Sequence, residues 1–466
     1  MINPYSRRRF LEYGTLGLGN LGLAMLLRAG EEIPNPLASK TPHFAPKAKR
    51  LIHVFLNGGM SHVDTFDPKP ALNRYAGKAL PVHLRTERKT GAAFPSPFAF
   101  RRFGQCGTEI SEIFPKIGEC ADDLCVIRSM HTDIPNHEPS FLMMNCGSTQ
   151  QVRPSMGSWL TYGLGSENQN LPGFIVLCPN GLPTKGAVNW RSAFLPGAYQ
   201  GTHIDSSRKR VEDLVENISN ASLTREDQRS ELDALRAMNQ THAAAREDDP
   251  ALHARLQSFE LAFRMQMEAQ DAFDISKEPD SVRSLYGDTL HGRQMLIARR
   301  LSERGVRVVQ VWHGAGQPWD SHNDIKGNHS RLAHESDQPV AALLQDLKQR
   351  GLLNETLVLF SPEFGRTPVV ELADFGSNLN GDAGRDHNSY GFSAWLAGAG
   401  VKSGQTYGAT DEFGFRAEED RVHVHDLHAT VLQLFGFNHE HLTYRYAGRD
   451  FRLTDVSGQV IKGLLS

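Results

Sequence analysis

The sequence predicts an α/β protein, a three-layer α/β/α sandwich with a mainly parallel central sheet. Short apolar runs recur along the chain without clean polar–apolar alternation, as expected of strands buried on both faces. Helical patterns lie between these runs, and this order favours parallel strand pairing. The chain has 466 residues, of which 39% are hydrophobic, so it is long enough to form one large core of this kind.

The predicted strands and helices alternate along the chain. We predict strands at Leu51–Leu56, Leu124–Arg128, Phe174–Leu177, Val306–Val311, Thr356–Phe360 and Phe392–Leu396. Helical patterns are found at Ser258–Phe273, Leu290–Arg304, Pro339–Gln349 and His425–Leu434. Because residues 208–250 are polar, charged and helix-prone, we also expect a helical insertion around residues 208–275.

The N-terminal segment carries the pattern of an export signal. Ser6-Arg7-Arg8-Arg9-Phe10-Leu11 fits the twin-arginine motif, and a glycine-rich apolar stretch follows it. A basic amphipathic helix on the mature protein is the alternative interpretation. We therefore expect residues 1–45 to be a signal peptide and linker, residues 46–466 to form a single domain, and the protein to be periplasmic or extracellular.

Composition limits the partners of the chain. The 50 Lys+Arg and 53 Asp+Glu residues give a formal charge of -3, which offers no global reason to bind nucleic acid or acidic membranes. Past the signal segment, no apolar run approaches the roughly 20 residues that span a bilayer, so we expect no stable membrane span after signal removal. The five cysteines lack metal-binding spacing, and both disulfides and buried thiols stay open. The oligomeric state is also open.

Polar side chains gather next to the predicted strands, at the edge where parallel sheets bind ligands. The segments are Asn57–Asp64, His131–Glu138, His313–His329, Ser361–Arg366 and Gly384–Asn388. They combine imidazole with carboxylate, the ligand set of zinc or manganese. For any one residue, a capped helix, a solvated loop or a hydrogen-bonded core histidine is the alternative. The shared location of all five segments predicts a metal-binding site.

Three further histidines, His423, His425 and His428, lie around the start of the last predicted helix. His425 and His428 are three positions apart and share one helical face. We interpret them as hydrogen-bonded structural histidines, with a peripheral metal site as the alternative.

Taken in their order along the chain, the motifs of this sequence resemble those of the alkaline phosphatase-like superfamily. That superfamily contains sulfatases, phosphodiesterases and cofactor-independent phosphoglycerate mutases. The likeness runs from about Lys49 to the C-terminus and is closest to an uncharacterised, twin-arginine-exported, sulfatase-like family of unknown function. It is carried by His137-Glu138-Pro139-Ser140 with Gly147, Asp320-Ser321-His322, Leu343–Gly365, Asp386-His387 and Val422–Gly436. The resemblance implies an alkaline phosphatase-like sandwich that binds a divalent metal, with zinc expected first and manganese or calcium as alternatives.

The resemblance also implies roles for individual residues. One superfamily metal is held by an aspartate and two histidines, which match Asp320, His322 (or His329) and His387 here. Glu363, Asp64 and His62 would complete or orient the site. The chain departs from the pattern in three places: Asn57-Gly58 stands where the first strand usually ends in aspartate, Glu363-Phe364 replaces an Asp-His pair, and His137 occupies the position of the modified Cys or Ser of sulfatases.

Two functions remain open at this point. The first is an exported metal-dependent hydrolase of sulfate or phosphate esters, such as those on glycans, in which His137 attacks, moves a proton or binds the metal. Substrate would contact Arg366, Arg385, Asn136 and Trp190, with the arginines holding the anion by bidentate hydrogen bonds. Surface ion pairing is the alternative for both arginines. The second function is a non-catalytic protein on the same scaffold that binds an anionic ligand or a glycan.

Overall fold

A nine-stranded, mainly parallel sheet forms the centre of the molecule. The structure, a computed structural model, describes residues 35–214, 223–244, 250–372 and 383–466, so the twin-arginine segment lies outside the described residues. The strands are β1 Arg50–Phe55, β2 Leu124–His131, β3 Phe174–Leu177, β4 Thr202–Ile204, β5 Val308–Trp312, β6 Thr356–Ser361, β7 Phe392–Ala397, β8 Gln405–Tyr407 and β9 Val422–His423. Their order is β8-β2-β7-β6-β1-β5-β3-β4, and β9 also pairs with β2.

Strand β7 is the exception to the parallel arrangement, since it pairs antiparallel with both β2 and β6. The other pairings within the sheet are parallel. The amino end of β7 therefore lies at the same edge as the carboxyl ends of β1, β5 and β6. This reversal brings residues 384–391 to the edge where the loops after the parallel strands meet.

Helices cover the sheet and connect its strands. Within the described residues they are α1 Pro70–Arg74, α2 Pro115–Glu119, α3 His137–Cys146, α4 Met156–Leu164, α5 Val211–Leu214, α6 Arg225–Ala244, α7 Pro250–Phe273, α8 Asp280–Tyr286, α9 Leu290–Glu303, α10 Ile325–Gln349 and α11 Val424–Leu434. Short two-stranded ribbons pair Thr90–Ala93 with Val369–Glu371, Phe100–Phe103 with Thr108–Ser111, Gly365–Arg366 with His387–Asn388, Ala409–Thr410 with Ala417–Glu419, and Tyr444–Tyr446 with Arg449–Phe451.

Successive residues of β1 pack against opposite helical layers, which makes the fold a three-layer sandwich. Ile52 and Val54 belong to one buried cluster with side chains of α9 and α10. Leu51 and Phe55 belong to a second cluster with side chains of α4 and α11. Full burial of such side chains stabilises the fold by about 1.5–3 kcal/mol each. The predicted fold class is confirmed, because both faces of the sheet are apolar and covered.

The predicted strands all fall within β1, β2, β3, β5, β6 and β7, with small shifts at their ends. Two helices begin well before their predicted starts: the helix expected from Ser258 begins at Pro250, and the helix expected from Pro339 begins at Ile325 and passes through the proline. Asp324 caps the second helix by accepting a hydrogen bond from the Gly327 backbone N–H at 2.9 Å. Proline lacks a backbone N–H donor and is disfavoured inside helices, but this long helix continues on both sides of it.

The structure also bears on the predicted absence of a membrane span and on the state of the cysteines. In the part of the chain that the structure describes, no helix is both long enough and apolar enough to span a membrane. All five cysteines are free, and four of them are buried. Burial raises the pKa of Cys146 and of Cys178 to about 12, as expected of structural thiols.

Candidate metal centre

Three histidine rings converge on one carboxylate oxygen at the carboxyl edge of the sheet. The Nε2 atoms of the rings lie close to Asp320 Oδ1, at 3.2 Å for His137, 3.0 Å for His322 and 3.3 Å for His387. The ring centroids of His137 and His387 are 4.3 Å apart, and those of His322 and His387 are 4.7 Å apart. The three rings are largely buried, while the Asp320 side chain is 22% exposed. The cluster is therefore compact, with its opening to solvent at Asp320.

Each of the three rings also meets a glutamate on its other nitrogen. His137 Nδ1 lies 2.6 Å from Glu363 Oε1, and His387 Nδ1 lies 2.6 Å from Glu87 Oε2. His322 Nδ1 contacts Glu371 Oε2 in the same way. Because an ionised carboxylate only accepts hydrogen bonds, each Nδ1 must be the donor. In the neutral ring this leaves Nε2 as a bare lone pair directed towards Asp320.

The three Nε2 lone pairs and the Asp320 carboxylate make this site rich in acceptors, and Arg366 donates to the same Asp320 oxygen. Nε2 of His137 and Nε2 of His322 are buried and have no hydrogen-bond partner in favourable geometry. Three lone pairs and a carboxylate would repel one another unless protons or a metal ion lay between them. A carboxylate hydrogen-bonded to the outer nitrogen of a metal-binding histidine is a common feature of metal centres. The residues present thus fit a divalent metal ion.

The pKa values describe the same cluster when protons are the only cations. Burial would lower the pKa of His137, but the Asp320 and Glu363 carboxylates outweigh it and raise that pKa. His322 behaves alike, with Asp320 and Glu371 raising its pKa against burial. Burial also opposes ionisation of Asp320, yet Arg366 and the three rings hold its pKa far below the usual range. The negative carboxylates that favour these protons would equally favour a metal ion, which would take the place of the protons on the Nε2 atoms.

Arg366 fixes the position of Asp320 through a buried ion pair. Its side chain is completely buried, and Nη2 donates to Asp320 Oδ1 at 2.7 Å while Nε donates to Gly59 O at 2.8 Å. The two-residue pairing of Gly365–Arg366 with His387–Asn388 places Arg366 directly opposite His387. Arg366 is therefore committed to the cluster and to the loop after β1.

Glycines allow the loops to approach closely at two points of the cluster. A Cβ on Gly58, whose φ is 121°, would lie 2.5 Å from the Asp320 backbone nitrogen. Gly58 N also donates to Glu363 Oε1 at 3.1 Å. A Cβ on Gly384 would lie 2.1 Å from the His322 carbonyl carbon. A side chain at position 58 could not be accommodated without moving the Asp320 loop.

Several predicted site residues lie outside this cluster. Asp64 and Arg385 form a fully buried bidentate pair, with Nε–Oδ2 at 2.7 Å and Nη2–Oδ1 at 3.0 Å. His62 Nε2 hydrogen-bonds Gly414 O at 2.8 Å. His329 Nε2 accepts the Ser61 backbone N–H at 3.0 Å, so His322 rather than His329 accompanies Asp320.

The remaining predicted residues divide between the rim and the core. Asn136 precedes helix α3 and donates to Glu87 Oε1 at 3.3 Å, so it lies at the rim of the cluster. Trp190 is buried, 5.7 Å from the His203 ring and 5.9 Å from the Trp312 ring between centroids. These contacts place Trp190 in the apolar core.

Comparison with known proteins supplies a family but no activity. A family model described as "Protein of unknown function (DUF1501)" matches residues 48–465. The chain belongs to the DUF1501 family. No curated protein matches it.

Several solved structures resemble this DUF1501 protein at low identity. A sulfatase from Pseudoalteromonas sp. has 14% identity and a TM-score of 0.34, over 84% of this chain and 68% of that chain. The lipoteichoic acid synthase LtaP from Listeria monocytogenes has 10% identity and a TM-score of 0.37, over 90% and 78%. The periplasmic domain of EcEptC from Escherichia coli, in complex with Zn, has 8% identity and a TM-score of 0.34, over 85% of both chains. The fold class of the DUF1501 chain rests on its own sheet order and two helical layers.

Sequence reasoning missed two residues of the centre, Glu87 and Glu371. Glu87 lies in the loop before Thr90–Ala93, and Glu371 ends the strand Val369–Glu371 that pairs with it. This ribbon brings both carboxylates to the outer nitrogens of His387 and His322. Neither residue belongs to a motif of the sequence, so no local signal pointed to them.

Proposed function

We propose that this chain is an exported, metal-dependent hydrolase of sulfate or phosphate esters, including esters carried by glycans. The observation that carries the proposal is the convergence of three imidazole Nε2 atoms on Asp320, each ring being backed by a glutamate. Export is proposed from the twin-arginine motif Ser6–Leu11 and periplasmic or extracellular location follows from it.

The ligands of the metal would be His137, His387 and Asp320, whose ligand atoms all lie within 4.8 Å of one another, with His322, 3.0 Å from Asp320, as the fourth. Three nitrogens and one oxygen suit zinc, with manganese as the alternative, whereas calcium prefers oxygen ligands alone. Bound there, a divalent cation would polarise an ester oxygen and neutralise charge that develops on it. Asp320, the exposed member of the set, would face the substrate side.

The residues of the chain itself would orient and tune this centre. Glu363, Glu371 and Glu87 would keep a proton on each Nδ1 and thereby hold the three Nε2 lone pairs in place. Arg366 would fix Asp320 as the ionised ligand. Of the three roles open for His137, metal ligation is favoured, because Glu363 occupies its Nδ1 and Asp320 faces its Nε2.

The anionic substrate is supported by the sequence resemblance and by one exposed cation. Arg366 and Arg385 already pair with Asp320 and Asp64, so neither is available as the anion clamp that the sequence suggested. Arg88 also pairs with a carboxylate, Glu371 at 3.1 Å, but its side chain is 42% exposed, whereas those of Arg366 and Arg385 are fully buried. We propose Arg88 as the cation that meets the ester group.

The alternative, a non-catalytic protein that binds an anionic ligand or glycan, has its own supporting observation. Within the described residues, no serine, threonine or cysteine side chain hydrogen-bonds Asp320 or the three rings. Hydrolysis would then need water as the nucleophile, and a centre that only binds its ligand would need none.

The test compares Asp320→Asn with Asp123→Asn in the purified protein. Asp123 precedes β2 at the opposite edge of the sheet and pairs with Lys348, so its variant carries the same change of charge away from the centre. Metal per chain and turnover are measured on aryl sulfates, phosphate monoesters and diesters, and phosphonate esters with zinc or manganese added. We expect wild type and Asp123→Asn to hydrolyse at least one class, and Asp320→Asn to lose that activity and one metal equivalent. Metal binding without turnover on every class would favour the binding protein, and wild type without metal would refute the metal-dependent hydrolase.

A further inference from the structure

A second cluster of metal-ligand type lies on the α9–α10 side of Trp319. It contains His291 from the start of α9, His313 directly after β5, and Glu335 from α10. Glu335 Oε2 lies 3.2 Å from His313 Nε2 and 3.7 Å from His291 Nε2. The two histidine rings are 4.2 Å apart between centroids. The Trp319 ring lies 5.5 Å from the His313 ring between centroids, and Trp319 directly precedes Asp320 in the chain.

The tautomer of His291 is fixed by its neighbour Gln294. The Gln294 amide nitrogen donates to Ser206 Oγ at 2.9 Å and to Trp312 O at 3.3 Å, so its oxygen must face the other way. That oxygen lies 2.8 Å from His291 Nδ1, which must therefore carry the proton. Neutral His291 then presents a bare Nε2 lone pair to the Glu335 carboxylate, and two acceptors that face each other require a cation between them.

The geometry suits a zinc ion: the 3.7 Å from His291 Nε2 to Glu335 Oε2 is too long for a hydrogen bond, whereas the 3.2 Å from His313 Nε2 fits either interaction. Zinc binds histidine nitrogen and carboxylate oxygen at about 2.0–2.2 Å, so ligand atoms of a tetrahedral site lie roughly 3.3 Å apart. The two distances to Glu335 bracket this value. The histidine side chains are buried, whereas Glu335 is 36% exposed, which leaves room for water as the fourth ligand.

We propose that His291, His313 and Glu335 form a second transition-metal site, of zinc type, distinct from the Asp320 centre. It would tie α9 and α10 to the loop that leads from β5 to Trp319 and Asp320. Its role would be structural, because it would fix the loop that carries Asp320. The proposal does not depend on the hydrolase function.

The test is a zinc titration of apo full-length protein with a competing chelator. Wild type should bind two equivalents, and a His291→Ala/His313→Ala variant should lose one of them. Glu335→Gln, at a half-exposed position, should bind the second equivalent roughly tenfold or more weakly, since it loses an anionic ligand. Glu119→Gln is the matched control, because it makes the same change at a 52% exposed position where Glu119 pairs with Lys116 at 2.9 Å. It should keep both equivalents.

The two metal proposals fail independently. An equivalent that survives Asp320→Asn but disappears in His291→Ala/His313→Ala supports the second site even if the first binds nothing. Should the double variant not fold, Glu335→Gln and anomalous scattering from zinc-soaked crystals take its place. Unchanged binding in Glu335→Gln, or no anomalous peak among the three side chains at saturating zinc, would overturn the proposal and leave a proton shared between His291 and Glu335.

Discussion

The three histidines of the centre and two histidines at the start of α11 have opposite hydrogen-bond patterns. In the centre at the sheet edge, Nδ1 of His137, His322 and His387 faces a glutamate and Nε2 faces Asp320. At the start of α11, Nε2 of His425 hydrogen-bonds Gly147 O and Nε2 of His428 hydrogen-bonds Met144 O, both at 2.8 Å. Carbonyls only accept, so these Nε2 atoms carry the proton.

This difference shows that the partner of one ring nitrogen decides what the other can do. The centre directs three lone pairs to one point. The α11 histidines instead donate to two separate carbonyls, one on Met144 in α3 and one on Gly147, the residue that follows α3. Burial lowers the pKa of His428 to about 3, while carboxylates raise the pKa of His137 and His322 against burial. The structural interpretation of His425 and His428 agrees with these hydrogen bonds.

The largest expected effect separates the two groups by metal affinity. We expect His322→Ala/His387→Ala to weaken zinc binding by more than the roughly 100-fold that follows loss of an outer partner. His425→Gln/His428→Gln should leave the affinity unchanged. Chelator competition in a His291→Ala/His313→Ala background measures the first centre by itself. Equal losses in the two double variants would contradict the distinction.

The sequence predicted the inner part of the centre better than its outer part. Asp320 and His322 stand two positions apart in one loop, and His387 precedes a recognisable strand, so motif order brought them together. Glu87 and Glu371 act through hydrogen bonds across 300 and 49 positions, and such contacts exist only after the ribbon has formed. The strands were predictable because burial on both faces leaves continuous apolar runs.

The buried arginines also show why contacts between distant residues cannot be predicted from the sequence. A sequence shows that Arg385 is charged but not which carboxylate it meets, and its partner Asp64 lies 321 positions away. Complete burial then requires a paired charge, because an unpaired guanidinium would lose its hydration without compensation. The predicted role of Arg385 in substrate binding therefore has no support from its contacts.

A smaller effect sharpens the comparison at the outer carboxylates. Glu87→Gln keeps the size of the side chain but removes the negative charge beside His387 Nδ1, so zinc affinity should fall roughly 10–100-fold. Glu138→Gln is the control, because Glu138 follows His137 directly but pairs with Lys185 at 2.7 Å and is 52% exposed. Competition titrations in the same background measure both variants. If both lose affinity equally, general charge near the centre, and not the outer hydrogen bond, sets the affinity.

A third effect concerns acid stability and tests the α11 histidines. His428 has a pKa of about 3 in the fold and about 6.5 when unfolded, so the folded state excludes a proton that the unfolded chain binds between these values. This contribution is complete above pH 6.5 and is lost as the pH falls towards 3, by about 1.4 kcal/mol per pH unit. In His428→Gln, whose amide can still donate to Met144 O, the free energy of unfolding should fall less steeply with acid by about that amount.

Urea unfolding between pH 6.5 and 4.5 measures this slope, with His83→Gln as the exposed control. The experiment is carried out on metal-free protein, because bound metal adds its own pH dependence through proton release at the first centre. An unchanged slope in His428→Gln would mean that the ring already carries both protons in the fold. That result would still be consistent with Nε2 donating to Met144 O, but Nδ1 would then carry a proton and have no lone pair. The two groups of histidines would then differ only in whether their Nε2 atoms converge on one point.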